Sequence, residues 1–179
     1  LRSANIAGQL LTFSRKQPIQ SKVINLNDVI SHTIDMLSHM ISEEIQLIHS
    51  FEQNLWRIKC DPHQLEQILT NLSLNASDAI TGNGTITLTT SNKILNKQSP
   101  ELQQSFMPGE FVVLSIKDTG SGIPEKLQGQ LFEPFFTTKE AGKGTGLGLS
   151  IVHGIVKQHN GFIRVKSDVG IGTEFTIYF

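Results

Sequence analysis

Apolar residues recur along this chain at two kinds of interval, and these intervals predict where helices and strands lie. A spacing of three or four residues predicts helices over residues 4–16, 29–41, 62–80 and 149–159. Alternating apolar and polar residues, or short apolar runs between turn residues, predict extended segments over residues 19–24, 45–51, 55–58, 85–92, 111–118, 161–166 and 174–179. The polar residues 93–110 predict a long connection between two of these strands.

Local polar residues predict where three of the helices begin or end. Asp61 can cap the third helix, Pro62 suits its first position, and Gln64 can close a capping box. Residues 25–28 place an Asn or Asp where it can cap the second helix. Pro18 ends the first helix, whose apolar stripe is typical of a bundle or coiled-coil helix.

Residues 131–161 combine an aromatic-proline cluster, glycines at 142, 144, 146 and 148, and the last predicted helix. A helix N-terminus offers unpaired N–H groups and the positive end of the helix dipole, so this junction is suited to phosphate oxygens. The glycines match neither the P-loop motif nor the full dinucleotide fingerprint. A nucleotide phosphate site and a plain flexible linker both fit this segment taken alone.

Polar residues form a narrow stripe beside the apolar face of the third helix. Asn71, Asn75 and Asp78 are spaced i, i+4 and i+7, which places them on one side of the helix. Asn is a poor helix former, so two of them on one stripe call for a reason. The stripe is either solvated surface or a row of oxygens that faces a metal ion and phosphate groups.

A carboxylate stands at the end of the predicted strand 111–118. Asp118 is followed by Gly120 and Gly122 in the run DTGSGIP. Glycines allow a ligand to approach the backbone closely. An ionised carboxylate accepts hydrogen bonds and cannot donate them. This strand end is therefore suited to a flat ligand that carries a hydrogen-bond donor.

Composition narrows the classes of partner. The 15 basic and 16 acidic residues form no long run of one sign, which argues against a nucleic-acid or membrane-surface binder and favours small molecules or proteins. One cysteine, no apolar run long enough to span a membrane and no signal peptide lead us to expect a cytoplasmic protein, or the cytoplasmic part of a membrane-anchored sensor. The chain starts inside a predicted helix, so we expect a fragment of something longer.

The motifs stand in an order that resembles the ATP-binding catalytic domain of bacterial sensor histidine kinases. This order is the Asn71/Asn75 helix, the DTGSGI strand end, the PFFTTK cluster with its glycine-rich segment, and the GIGT turn, which are the N, G1, F, G2 and G3 boxes of that family. The wider family includes gyrase, mismatch-repair ATPases and a class of heat-shock chaperones. The resemblance covers residues 24–179 and implies a two-layer α/β sandwich with a mixed sheet covered by helices on one face.

The resemblance also implies a division of the chain. Residues 25–179 would be the catalytic ATP-binding domain and residues 18–24 a linker. Residues 1–17 would be the end of the second helix of a dimerisation bundle, because QLLTFSRKQ over residues 9–17 is similar to that helix in nitrogen-regulatory and hybrid-type kinases. Such kinases are homodimers through this bundle.

Carried over by position, the resemblance assigns roles to the motifs. Asp118 would accept a hydrogen bond from the adenine amino group, and Asn75 would coordinate Mg²⁺ together with the phosphates. Lys139, Lys143 and the amides around Gly144 to Gly148 would neutralise phosphate charge. The full implied nucleotide-binding set is Asn71, Asn75, Asp78, Asp118, Gly120, Gly122, Ile123, Lys139, Lys143, Gly144, Thr145, Gly146, Leu147, Gly148 and Thr173.

The aromatic-proline cluster would anchor a lid over the nucleotide. The resemblance gives this role to Phe132, Pro134, Phe135 and Phe136, although simple core packing also accounts for some of them. We expect residues 124–144 to sample many conformations without nucleotide and to become ordered when nucleotide binds.

The resemblance implies transfer of the γ-phosphate of Mg·ATP to a histidine on an upstream helix, and from there to a response regulator receiver domain. ATP-hydrolysing relatives carry a Glu four residues before the metal-binding Asn, whereas this chain has Asn71, and an amide cannot act as a general base. None of the six histidines lies in a run that resembles the phosphoacceptor box, so no residue of this chain is assigned a catalytic role. An ATP-driven conformational switch and a non-catalytic signalling module are the alternatives.

Overall fold

The computed structural model describes residues 20–100, 107–139 and 144–179, so the predicted helix over residues 4–16 lies outside the described residues. The described helices are α1 (Leu26–Met40), α2 (Pro62–Ala79), the single turn α3 (Glu125–Gln128) and α4 (Gly148–Gln158). The described strands are β1 (Lys22–Ile24), β2 (Ile45–Ser50), β3 (Ile58–Cys60), β4 (Gly84–Leu95), β5 (Gly109–Asp118), β6 (Phe162–Asp168) and β7 (Gly172–Tyr178). None of the described helices is both long and apolar enough to cross a membrane.

Five strands form one mixed sheet in the order β2-β4-β5-β7-β6. β2 runs parallel to β4, and the other neighbouring pairs are antiparallel. β1 and β3 pair separately as a short antiparallel ribbon, so residues 22–24 of the predicted linker form a strand. The predicted α/β fold with a mixed sheet is confirmed.

The main core lies between the sheet and helices α1, α2 and α4. Because alternate residues of a strand face opposite sides, Leu114 and Ile116 of β5 enter this core whereas Phe111 and Val113 do not. The latter two belong to a smaller cluster on the other face of the sheet, with Leu95, Phe162 and Tyr178. α2 contributes the centre of the main core through fully buried leucine and isoleucine side chains, Leu65, Ile68 and Leu69.

Asp61 caps α2 as predicted, and it also holds the segment before β1. Its Oδ1 accepts a hydrogen bond from the backbone N of His63 at 3.0 Å, and its Oδ2 accepts one from the backbone N of Gln20 at 2.9 Å. The predicted capping box is wrong, because the Gln64 side chain instead bonds Gln158 and His159 at the end of α4. These bonds join the start of α2 to the end of α4.

One predicted strand is displaced and one predicted connection is shorter. Residues 54–56 are held by the side chain of Asn92, which accepts from the backbone N of Trp56 at 2.9 Å and donates to the carbonyl of Asn54 at 2.8 Å. The strand in this region is therefore β3, which shares only Ile58 with the predicted strand over residues 55–58. β4 continues to Leu95 because this side chain packs in the second apolar cluster and pairs with Gly109.

Candidate functional site

A cavity of about 460 Å³ lies between α2, the turn after β5, residues 131–139 and the start of α4. Twelve of the fifteen predicted site residues line it: Asn71, Asn75, Asp78, Asp118, Gly122, Ile123, Lys139, Gly144, Thr145, Gly146, Gly148 and Thr173. Leu147 and Gly120 are buried nearby but do not line it, and Lys143 lies outside the described residues. Residues far apart in sequence thus converge on one space.

Asp118 provides the buried acceptor of the cavity. Its side chain is 3% exposed, and Oδ1 accepts hydrogen bonds from the backbone N of Gly120 at 2.8 Å and of Thr173 at 3.2 Å. Oδ2 has no hydrogen-bond partner among the described residues. Burial raises the pKa of this carboxyl, and the hydrogen bonds from Gly120 and Thr173 partly offset that effect. A ligand N–H group can therefore satisfy an oxygen that the protein leaves open.

The glycines after Asp118 pack against the protein backbone as well as making room for a ligand. A Cβ at Gly120 would lie 2.7 Å from the carbonyl oxygen of Ala79 at the end of α2. Gly122 has φ +70° and lies against the backbone of Asp168, so any side chain there would be both strained and obstructed. The turn is thereby fixed between α2 and the β6–β7 turn.

The start of α4 faces the polar stripe of α2. A Cβ at Gly148 would lie 3.3 Å from Asn71 Oδ1 and 3.9 Å from Asn75 Nδ2. The N-cap residue Leu147 makes no side-chain cap, so the first backbone N–H groups of α4 have no side-chain acceptor from it. Amide oxygens and a helix N-terminus therefore meet at this end of the cavity, and such a site favours phosphate together with a cation.

Lys139 and Asp78 pair across this same end of the cavity. Lys139 Nζ donates to Asp78 Oδ2 and lies 3.5 Å from Asn75 Oδ1. The ammonium thus lies beside oxygens of Asn75 and Asp78, which the resemblance places in the metal and nucleotide site. Neither side chain is deeply buried, so the pair remains accessible to a competing anion or cation.

A backbone contact joins the aromatic cluster to the glycine-rich segment. The backbone N of Phe135 donates to the carbonyl of Gly146 at 2.9 Å, and both residues have positive φ, 69° and 65°. A Cβ at Gly146 would meet the backbone of Phe135, so glycine is required there. Phe135 itself is 68% exposed, whereas Phe132 stacks on His153 with ring centroids 4.9 Å apart.

Sequence reasoning missed the apolar walls of the cavity. They include Leu74, Ala76, Ala79, Leu131, Leu149 and Phe175. Phe136, which the resemblance assigned to the lid, lines the cavity as well. Helical spacing from Asn71 and Asn75 would have indicated Leu74 and Ala79, because residues three or four apart share a face. Alternation along β7 would have indicated Phe175 from Thr173.

Comparison with known proteins identifies the class of domain. A family model described as "Histidine kinase-, DNA gyrase B-, and HSP90-like ATPase" matches residues 60–179. The chain belongs to this ATPase family. Within it, the chain is similar to sensor kinase CckA of Brucella abortus, with 44% identity over 178 residues, and to sensor histidine kinase ZraS of Salmonella typhi, with 38% identity over 179 residues. Each alignment covers 99% of this chain, but 19% of CckA and 35% of ZraS, so the chain spans between a fifth and about a third of these relatives.

Solved structures place it on the histidine kinase side of the family. The nucleotide-free catalytic domain of histidine kinase ThkA matches 89% of this chain and 95% of its own, with 29% identity and a TM-score of 0.70. Full-length ShkA in complex with AMPPNP matches 92% of this chain and 32% of its own, with 25% identity and a TM-score of 0.71. ThkA in complex with response regulator TrrA matches 99% of this chain and 47% of its own, with 26% identity and a TM-score of 0.72. The chain carries the ATP-binding catalytic domain of a two-component histidine kinase.

The packing of the first part of the predicted lid leads to a sharper expectation for this ATPase domain. Gln128 is bonded to the body of the domain, Leu131 is 6% exposed, and Phe132 stacks on α4. Residues 133–139 contain the exposed Phe135 and lack such deep burial. The predicted lid over residues 124–144 therefore has an anchored first part.

Hydrogen exchange should distinguish the two parts. We expect the amides of residues 127–132 to be protected equally with and without ADP, and those of residues 133–139 to gain protection when ADP binds. The amides of the paired strands β2 and β4 provide an internal control, because neither strand contributes a residue to the cavity lining and nucleotide should leave their protection unchanged. Equal exchange of residues 133–139 in both states would contradict the lid assignment.

Proposed function

We propose that this domain binds Mg·ATP and presents the γ-phosphate to a histidine on a dimerisation helix of the parent protein. An aspartate in the receiver domain of a response regulator then accepts the phosphoryl group. The similar kinase ThkA in complex with the response regulator TrrA supports this class of partner. The observation that carries the proposal is the open oxygen of Asp118, in a cavity whose other end holds Asn71, Asn75 and the start of α4.

The two ends of the cavity suit the two ends of a nucleotide. Asp118 would accept from the adenine amino group, with Gly120, Gly122, Ile123 and Thr173 shaping the base site. The phosphates would meet Asn71, Asn75 and the N-terminus of α4, whose approach is lined by Gly144, Thr145, Gly146 and Gly148. Lys139 and Lys143 would neutralise phosphate charge, and Leu147 would contribute through its backbone.

The donor set at the phosphate end fits Mg²⁺ that arrives with the nucleotide. Asn75 offers one hard carbonyl oxygen, and the described residues contain no cluster of three or more acidic, histidine or cysteine side chains that would form a protein-only cage. Mg²⁺ commonly takes one or two protein oxygens together with substrate phosphates. Asn75 would hold it, with Asn71 supporting, and the ion would neutralise charge on the phosphate oxygens.

The side chains around the cavity favour phosphoryl transfer over hydrolysis. A hydrolase needs a group that activates water, and Asn71 occupies the position of the general base in hydrolysing relatives. The acidic residues that line the described cavity are Asp78 and Asp118. Asp78 is paired with Lys139, and Asp118 lies at the base end. Transfer needs chiefly positioning and charge neutralisation, which this site can supply.

The six histidines of the chain all lie in the described residues, and none lines the cavity. Burial lowers the pKa of His153, which stacks on Phe132, and of His159, which bonds Gln64 at 2.6 Å. His32 Nδ1 bonds the carbonyl of Asp28 on its own helix. We therefore propose an acceptor histidine outside this domain, in a cytoplasmic homodimer where ATP and receiver domains are available.

A nucleotide-binding assay combined with a phosphate-release assay tests this function. We expect calorimetry to show one Mg·ATP bound per chain, with no phosphate release above the background of heat-inactivated protein. Steady release of phosphate over many turnovers, abolished in Asn75→Ala, would instead support the ATP-driven switch. Failure to bind any adenine nucleotide would leave only a non-catalytic signalling module.

A further inference from the structure

We propose that Ser167 and Gln128 are positioning residues that orient the base site and set its preference for adenine over guanine nucleotides. Neither side chain lines the cavity. They act through Ile123 and Thr173, which do line it. The inference rests on the proposed nucleotide-binding function, and it assigns a task to two residues outside the kinase motifs.

The Ser167 hydroxyl joins two segments of the base site. Its Oγ accepts a hydrogen bond from the backbone N of Ile123 at 2.7 Å. The same oxygen lies 2.8 Å from Thr173 Oγ1 and 3.1 Å from the carbonyl oxygen of Gly172. One hydroxyl of β6 thus holds both the turn after Asp118 and the start of β7.

Proton counting shows how Ser167 controls Thr173. Ser167 has a single hydroxyl proton, which it can donate either to Thr173 Oγ1 or to the Gly172 carbonyl. If it donates to Thr173, the Thr173 proton is left for a ligand acceptor. If it donates to Gly172, Thr173 uses its own proton on Ser167 and offers a ligand only lone pairs. Ser167 therefore restricts the Thr173 hydroxyl to two orientations.

Gln128 secures the same region from the other side. Its Nε2 donates to the carbonyl oxygens of Ile123 and Ser167, both at 3.0 Å. The backbone N and the backbone carbonyl of Ile123 are therefore both bonded, one to Ser167 and one to Gln128. This bonding fixes Ile123 against the cavity and ties α3 to β6.

The hydrogen-bonding edge of the base explains why this arrangement selects adenine. Adenine presents an amino donor beside a ring-nitrogen acceptor, whereas guanine presents a carbonyl acceptor beside a ring N–H donor. Asp118 Oδ2 matches the amino donor, and Thr173 matches the ring acceptor when Ser167 donates to it. Without the Ser167 hydroxyl, the Thr173 hydroxyl rotates freely and the backbone N of Ile123 loses its acceptor. The base site then discriminates less between adenine and guanine.

Affinities for ADP and GDP, measured by calorimetry on the same protein, test the proposal. We expect the wild-type chain to prefer ADP, and Ser167→Ala to lower the ratio of ADP to GDP affinity by about tenfold, chiefly through weaker ADP binding. Ser167→Thr keeps the hydroxyl and should retain most of the ratio. Ser115→Ala is the matched control, because it removes another hydroxyl of this sheet, one bonded to Glu174 at 2.6 Å and outside the cavity lining.

The possible results separate the inference from the proposed function. An unchanged ratio in Ser167→Ala, with tight ADP binding by wild type, overturns the inference and leaves the function standing. Equal losses in the Ala and Thr variants also overturn it, because the hydroxyl would then not be the cause. Failure of the wild-type chain to bind ADP overturns both. If Ser167→Ala does not fold, Gln128→Met decides: a lowered ratio supports the proposal and an unchanged ratio refutes it.

Discussion

Asp118→Ala should weaken ADP binding by about tenfold to a hundredfold. The variant removes the carboxylate of Asp118, whose Oδ2 is left for a ligand in the cavity, and the adenine amino group would then be desolvated without this acceptor. It also removes the acceptor of the Gly120 and Thr173 amides, so the turn after β5 loses part of its support. The expected loss therefore has a direct and an indirect component.

Asp118→Asn separates the two components. Its single oxygen can still accept from the two backbone amides, and its N–H₂ group, a donor, then faces the adenine amino group. We expect calorimetry with ADP to show a loss close to that of Asp118→Ala. Glu110→Ala is the control, because it removes an exposed carboxylate from the opposite end of the same strand. Wild-type ADP affinity in both Asp118 variants would remove this residue from the site.

Asn75→Ala should abolish the increase in ATP affinity that Mg²⁺ produces, a loss of about tenfold in the presence of the ion. Asn75 supplies the protein oxygen beside the N-terminus of α4, and Ala supplies none. The Lys139 ammonium also lies 3.5 Å from this oxygen, so the variant frees Lys139 to pair with Asp78 or phosphate alone. ATP affinity without Mg²⁺ should consequently fall much less.

Titrations of ATP with and without Mg²⁺ measure this effect. Asn83→Ala is a suitable control, because Asn83 is an exposed residue of the turn between α2 and β4. It should keep the full Mg²⁺ dependence. If Asn75→Ala keeps it as well, the polar stripe of α2 is solvated surface and the proposed metal position is wrong.

Local sequence patterns were sufficient for the features that depend on neighbouring residues. The cap at Asp61, the mixed set of helices and strands and the glycine-rich approach to α4 all follow from spacing within a few residues. Gly122 and Gly146 stand at positions of positive φ that turn residues indicate. That the motifs converge on one cavity was predicted from their resemblance to a known family, and not from local patterns.

Features that depend on distant partners could not be predicted from spacing. The displaced strand at residues 55–58 results from Asn92, 36 residues beyond Trp56. The failed capping box results from partners of Gln64 that lie 94 and 95 residues away. The pairing of Lys139 with Asp78 likewise joins two separate motifs. Such contacts arise only when the sheet and helices have brought distant segments together.

Labelled ATP shows directly whether the γ-phosphate is transferred to a histidine outside this chain. The chain should be incubated with γ-labelled ATP and Mg²⁺, first alone and then with the dimerisation helices of the same parent kinase. The proposed transfer predicts no label on this chain alone, and acid-labile label on a histidine of the added helices, with little free phosphate. Label on one of the six histidines of this chain, or free phosphate in place of phosphohistidine, would contradict it.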